Sequence, residues 1–193
     1  MRKLDKASLW SLEQYAEQRP AFRAEVIEHK KPRRVPVGAH ATFYFEDFLT
    51  MKYQVQEMLR VERIFDAKEI LAELEAYNPL IPDGRNLKAT FMIEYPDPEE
   101  RRVALGRLGG IEDTLWLQAE GQPRIPAIAN EDMERSREDK ASAVHFLRFE
   151  LDDGTIAAFK AGGRVQLGID HPQLKESVTL TPDQLQALAA DLD

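Results

Sequence analysis

The sequence predicts an α+β fold: a single domain over residues 1–193, with a mainly antiparallel sheet of about five to seven strands packed with a long central helix, N-terminal helices and a C-terminal helix. Three observations predict it. The hydrophobic period switches repeatedly between a helical spacing and a spacing of two. Strand-like and helix-like stretches follow one another in mixed order rather than in strict alternation. Several strands are separated by only a few residues, too few for the crossover that parallel pairing needs. With 193 residues, 43% of them hydrophobic, the chain can bury a core without disulfides or a structural metal.

Asp5 is placed to cap a first helix, with Leu4 and Leu9 as a hydrophobic staple and Leu9, Leu12, Tyr15 and Ala16 at helical spacing; this helix is expected to stop near Arg19. Pro20 fits the first turn of a second helix, whose Phe22, Val26 and Ile27 share a face before Pro32 ends it. From Arg33 the period falls to two, and Ala41, Phe43 and Phe45 alternate with Thr42, Tyr44 and Glu46 as a strand with one apolar face. Residues 50–65 return to helical spacing, and 67–77 continue as another helix beyond a break at Asp66. Asn78-Pro79-Leu80-Ile81-Pro82-Asp83-Gly84 then turns the chain.

The clearest strand sets Leu87, Ala89, Phe91, Ile93 and Tyr95 against Lys88, Thr90, Met92 and Glu94. Asp97-Pro98-Glu99-Glu100 opens a helix that Gly109-Gly110 closes. Leu115 to Ala119 and Arg124 to Ala129 form a hairpin around Glu120-Gly121-Gln122, and Pro123 and Pro126 place its second arm at a sheet edge. A short exposed helix capped by Asn130 is expected over 130–140. Strands are expected over 143–151 and 164–170, on either side of a turn or short helix at 152–161. Thr181-Pro182-Asp183-Gln184 is a capping box that opens the C-terminal helix of Leu185, Leu188, Ala189 and Leu192.

Composition narrows the chemistry. Lys plus Arg is 26 and Asp plus Glu is 34, and a net charge of −8 makes nucleic acid an unfavoured partner. Residues 1–35 carry nine Lys or Arg against five acids, or +4, so the remainder must carry −12 to reach −8. The helical, basic N-terminal segment is therefore expected to dock on an acidic body. In its densest part, Lys30, Lys31, Arg33 and Arg34 could meet an anionic group; the plainer reading is a helix end whose cations complement the dipole. The chain has no cysteine, which excludes thiol nucleophiles, thiolate zinc sites, Fe–S ligation and disulfides. It also contains no P-loop run and no Gly-x-Ser-x-Gly elbow. No apolar run has the length of a signal peptide or a membrane span, so the expected location is the cytoplasm, with no membrane partner.

Any metal must then be held by histidine and carboxylate. On the helix over 50–65, steps of 100° put Glu62 at about 20°, inside the arc of Met51, Val55, Met58, Leu59, Val61 and Phe65. A carboxylate on a core face needs a partner. His145 shares a strand face with Leu147, Phe149 and Leu151, and His171 shares one with Val165, Leu167 and Ile169. If Glu62, His145 and His171 converge, they form a two-histidine, one-carboxylate set suited to Fe, Mn or Zn. Otherwise Glu62 sits in a buried pair with a histidine or an arginine such as Arg148. His40 lies with Thr42, Tyr44 and Glu46 on a polar face that lines a cleft or meets water. The loop at 78–86, with Asn78, Pro79, Asp83 and Gly84, is either an interaction loop or a packed connector.

Several stretches resemble a bacterial family, that of domain of unknown function 3501. They are Val55-Gln56-Glu57-Met58-Leu59-Arg60-Val61-Glu62-Arg63-Ile64-Phe65, Tyr77 through Gly84, Leu87-Lys88-Ala89-Thr90-Phe91-Met92-Ile93-Glu94-Tyr95-Pro96, Ser142 through Phe149, and Gly168-Ile169-Asp170-His171-Pro172. The N-terminal Leu-Glu-Gln-Tyr and Arg-Pro-x-Phe-Arg segments match as well, so the resemblance covers nearly the whole chain. It implies no reaction, substrate or catalytic residue. Members tend to be encoded beside rubrerythrin-like and Fe–S oxidoreductase-like proteins, which implies an accessory role in peroxide or redox metabolism, an association rather than a mechanism.

Three functional expectations follow. The first is a cytoplasmic accessory or binding protein serving such redox partners through its surface and the loop near 78–86. The alternative is a metal-dependent enzyme built on Glu62, His145 and His171. A second alternative is RNA or anionic-ligand binding through residues 29–34.

Overall fold

Along the chain, the computed structural model places α1 (Leu12–Lys30), β1 (Arg34–Val37), β2 (Ala41–Glu46), α2 (Phe48–Glu62), α3 (Ala67–Tyr77), β3 (Asn86–Ile93), α4 (Pro98–Leu105) and β4 (Leu115–Ala119). Then follow β5 (Ile125–Pro126), β6 (Ile128–Ala129), β7 (Val144–Glu150), α5 (Asp153–Lys160), β8 (Val165–His171), β9 (Leu174–Thr179) and α6 (Pro182–Ala189). The structure describes residues 2–129, 131 and 140–193, so most of the exposed helix expected over 130–140 lies outside the described residues.

The α+β class holds: among the described residues every pairing is antiparallel, and the strands divide over two sheets in the orders β1-β2-β3-β7-β6 and β5-β4-β8-β9. Alternation explains why they share one core. Phe43 stands opposite Phe91, which stands opposite His145, while Phe45, Ala89 and Leu147 form the next inward row. These side chains meet Leu115, Leu117, Val165, Leu167 and Ile169 from the second sheet in a single buried cluster, which Ile156, Phe159, Leu188 and Leu192 complete from α5, α6 and the chain end. Only Ala127 separates β5 from β6, so one extended segment crosses from the second sheet to the first at Pro126. On the outer face of the second sheet, Trp116 lies flat on Gly168, where an added Cβ would come within 2.1 Å of the indole, and Arg124 stacks on the ring at 3.8 Å.

The helices build a separate apolar layer. Met51, Val55 and Leu59 of α2 pack with Leu74 of α3, Leu4 and Ile81, while Tyr15, Phe22 and Val26 of α1 form a third cluster with Trp10, Leu49 and Tyr53. The outward side chains of the first sheet belong to none of these clusters, and that gap between layers creates the site described below.

Three expectations are corrected. Asp5 caps only a 3₁₀ turn at Lys6–Ser8, and Ser11 opens one helix that runs through Pro20 instead of two helices divided there. Tyr15, Phe22 and Val26, seven and four residues apart, form one continuous buried stripe across the proline, and packing outweighs the lost backbone bond. α2 ends at Glu62, with Arg63 at φ 54 as a left-handed cap, so its final turn projects past the body. Glu62 is therefore exposed, Val61 is 61% exposed and Phe65 70%, and the buried stripe is Met51, Val55, Gln56 and Leu59. Finally, Leu174–Thr179 is a strand, paired with β8 through a turn at Pro172-Gln173.

Candidate functional site

The outer face of the first sheet presents Thr42, Tyr44 and Glu46 from β2, Thr90 and Met92 from β3, and Val144 and Phe146 from β7, in register across the strands. α2 crosses above it with Met51 and Gln54, the end of α1 brings Lys30, and Tyr77 and Leu80 close the far side. A cavity of about 400 Å³ remains between sheet and helices. Its walls are mainly apolar and aromatic, with a few polar groups at fixed places, the usual make-up of a small-molecule pocket.

Those polar groups are positioned by their neighbours. Glu46, only 8% exposed, accepts a hydrogen bond from Thr90 Oγ1 at 2.8 Å. Tyr44 donates its hydroxyl to Glu94 at 3.0 Å and accepts from Arg34 Nε at 3.4 Å, and Thr42 donates to the same carboxylate at 2.7 Å. Lys30 lies 5.8 Å from the Tyr53 ring centroid, and none of the described carboxylates forms an ion pair with it.

Arg33, also on the cavity wall, is committed. Its guanidinium donates to both oxygens of Asp191 at 2.7 and 2.8 Å and lies 3.0 Å from Asp47 Oδ2, which is itself 2.5 Å from His29 Nε2. Burial works most strongly against the Arg33 charge, but the bond to Asp191 and the charges of Asp191, Asp47 and Glu46 together hold the guanidinium above its ordinary value. Burial raises the Asp191 carboxyl above the usual carboxylate range against the pull of Arg33. Asp47 also caps α2 through the Thr50 N–H at 2.9 Å.

The metal set does not assemble. His145 is fully buried, with Nε2 3.0 Å from the Ser142 carbonyl and 4.0 Å from Glu112 Oε2. The buried carboxylate beside it is thus Glu112, not the exposed Glu62. His171 Nδ1 accepts from the Gln173 N–H at 3.2 Å, which leaves Nε2–H to donate to the Gly109 carbonyl at 3.1 Å. Among the described residues no group of three or more His, Asp and Glu could hold a metal ion. No helix among them is long and apolar enough to cross a membrane.

The loop at 78–86 is anchored at both ends. The Asn78 side chain exchanges two hydrogen bonds with the Leu4 backbone at 2.8 and 2.9 Å, and Arg85 N–H donates to Asp83 Oδ1 at 2.9 Å. Gly84, at φ +101, faces the Asp193 carboxylate so closely that a Cβ would meet it at 2.0 Å. Pro79 and Asp83 border a second cavity of about 450 Å³, described below. Of the basic run, Lys31 pairs with Glu28 at 2.6 Å and Arg34 stacks 5.9 Å from the Tyr44 ring centroid, which leaves Lys30 as the cation turned toward the first cavity.

Tyr44, Glu46, Thr90, Met92 and Phe146 were legible as outward strand residues but not as a pocket. The available signal was parity: His40, Thr42, Tyr44 and Glu46 share a face, of which Tyr44 and Glu46 line the cavity. His40 itself stacks on Tyr95 at 3.9 Å and binds the Glu94 carbonyl at 3.0 Å instead of lining the cavity.

Residues 3–192 match the family described as protein of unknown function (DUF3501). The chain is 49% identical to a protein from Burkholderia pseudomallei K96243, whose crystal structure at 1.90 Å is described as that of a novel protein of unknown function. The two agree with a TM-score of 0.94 over 100% of each chain. No curated protein matches the chain.

Proposed function

The chain belongs to the DUF3501 family of proteins of unknown function, and from that premise we propose that it is an accessory protein that binds a small molecule in the cavity between α2 and the first sheet. One observation carries the reading: a mainly apolar cavity of about 400 Å³ with Lys30 facing it, uncommitted to any described carboxylate. A ligand with an aromatic or aliphatic body and one anionic group fits that wall. The body would lie on Met92, Val144 and Phe146, and the anion would meet Lys30. Glu46 would accept a hydrogen bond from a hydroxyl or amide donor on the ligand. Such a role suits the rubrerythrin-like and Fe–S oxidoreductase-like partners that the resemblance implies, because a cysteine-free chain would handle the small molecule and leave the electrons to its partner.

Titration with 1-anilinonaphthalene-8-sulfonate, an aromatic anion, tests the proposal. The fluorophore should bind the folded protein at one saturable site. Lys30→Gln should weaken binding roughly 10-fold by removing a charge-assisted contact. Val144→Trp should abolish it by filling the cavity, with the melting temperature checked for both variants. Unchanged binding in folded Val144→Trp would refute the site.

A further inference from the structure

Lys88 stands in the middle of the first sheet, opposite Glu46 on β2 and Arg148 on β7. Its side chain is half-buried and its amine donates to the Pro79 carbonyl. Lys3 reaches the same loop from the N-terminal segment, donating to the carbonyls of Asn78 at 3.0 Å and Ile81 at 2.6 Å. Two amines far apart in sequence thus gather on one short stretch of backbone. Lys88 also lines the cavity of about 450 Å³ whose walls include Asp83, Glu131, Arg148 and Glu150, and which shares Leu80 and Phe146 with the first cavity. Arg148 is occupied, 2.8 Å from Glu131 and paired with Glu150, whereas Lys88, also on this wall, forms no ion pair with a described carboxylate and donates only to the Pro79 carbonyl.

We infer that Lys88 is an amine nucleophile that captures a neutral carbonyl compound, an aldehyde whose apolar part extends along Leu80 and Phe146. Burial lowers the Lys88 amine below the ordinary lysine value and outweighs the opposing pull of Asp83 and Glu131. Lys3 is lowered as well, by burial and then by the charge of Lys88. A partly dry setting is one way in which proteins keep a lysine neutral and reactive. The amine nitrogen adds to the carbonyl carbon, the carbonyl π bond breaks, and the oxygen takes up the proton that the nitrogen loses. The resulting carbinolamine then releases its oxygen as water together with the remaining amine proton, leaving a carbon–nitrogen double bond. Nothing is oxidised or reduced. Asp83, Glu131 and Glu150 can carry the proton between these steps, and their charges, exceeding that of Arg148, disfavour an anionic 2-oxo acid.

Reductive trapping on the full chain decides the matter independently of the first cavity, because it is read at Lys88 alone. The protein is treated at pH 7 with sodium cyanoborohydride and either hexanal or glyoxylate, and peptide masses follow each lysine with time. The hexyl adduct should form at Lys88 roughly 10-fold faster than at the exposed Lys160 and Lys175, reflecting its larger free-amine fraction. Glyoxylate should label Lys88 more slowly than hexanal. Lys88→Arg should lose the fast adduct and keep its melting temperature. Labelling of Lys88 no faster than Lys160, a fast site at Lys3, or a preference for glyoxylate would each overturn the assignment.

Discussion

Tyr15 and Arg19 reach the same carboxylate from α1. The Tyr15 hydroxyl donates to Glu57 Oε1 at 2.6 Å, and Arg19 holds both oxygens, through Nε at 2.6 Å and Nη2 at 3.0 Å. The Arg19 bond holds the Glu57 carboxyl down at about 2, against an ordinary value of 4.5. A lowered carboxylate stabilises the fold fully above its unfolded pKa, and that contribution is lost as pH falls through the folded one. Glu57→Gln should therefore cost about 2 kcal/mol at pH 7, allowing for its partial exposure to solvent. The gap to the parent should close between pH 4.5 and about 2. Urea unfolding at a series of pH values measures it, and a gap independent of pH would contradict the assignment. At this scale the sequence was half legible: spacing put Tyr15 on an apolar stripe, but the partner of its hydroxyl lies 42 residues away and left no local mark.

Elements were most legible where hydrophobic period and capping chemistry agreed, as in β3, the start of α4, which ends at Leu105 rather than near Gly109-Gly110, the β4–β5 hairpin and α6. They were least legible where one rule outweighed another. β9 reads as irregular because Lys175, Glu176, Ser177 and Thr179 are exposed, and an edge strand has no need of apolar alternation. Pro20 reads as a helix start because proline favours first turns, yet in α1 it lies in the interior on the exposed side. That placement predicts a gain on removal. Pro20→Ala restores an N–H donor and a better helix former at a position with no packing role, and should stabilise the protein by about 1–3 kcal/mol. A rise in the urea midpoint with unchanged slope would bear this out. A loss of stability would mean that a bend at Pro20 is needed to seat Tyr15 and Phe22 together against α2.

For the whole molecule, strand parity revealed which side chains share a face, but not which helix lies over that face. The cavity at Tyr44, Thr90 and Phe146 became visible only with α2 in place, and the proposed metal set fell because α2 stops at Glu62. The same holds for the basic segment: its excess charge names no partner, and the partners of Arg33 are seen only in the fold. Arg33 and Asp191 are 4% and 3% exposed and 158 residues apart, and together with Asp47 they join the end of α1, the cap of α2 and the stretch after α6. Removing one partner of a buried pair strands the other charge, whereas replacing both by apolar groups of similar size is close to neutral. Arg33→Met alone should therefore cost about 3–5 kcal/mol by leaving Asp191 buried without its cation, while Arg33→Met combined with Asp191→Leu should recover most of that loss. Urea unfolding of both single variants and the double variant closes the cycle. If the double variant lost the sum of the two single costs, the helical layer would be held to the sheets by apolar packing, and Arg33 would only decorate the contact.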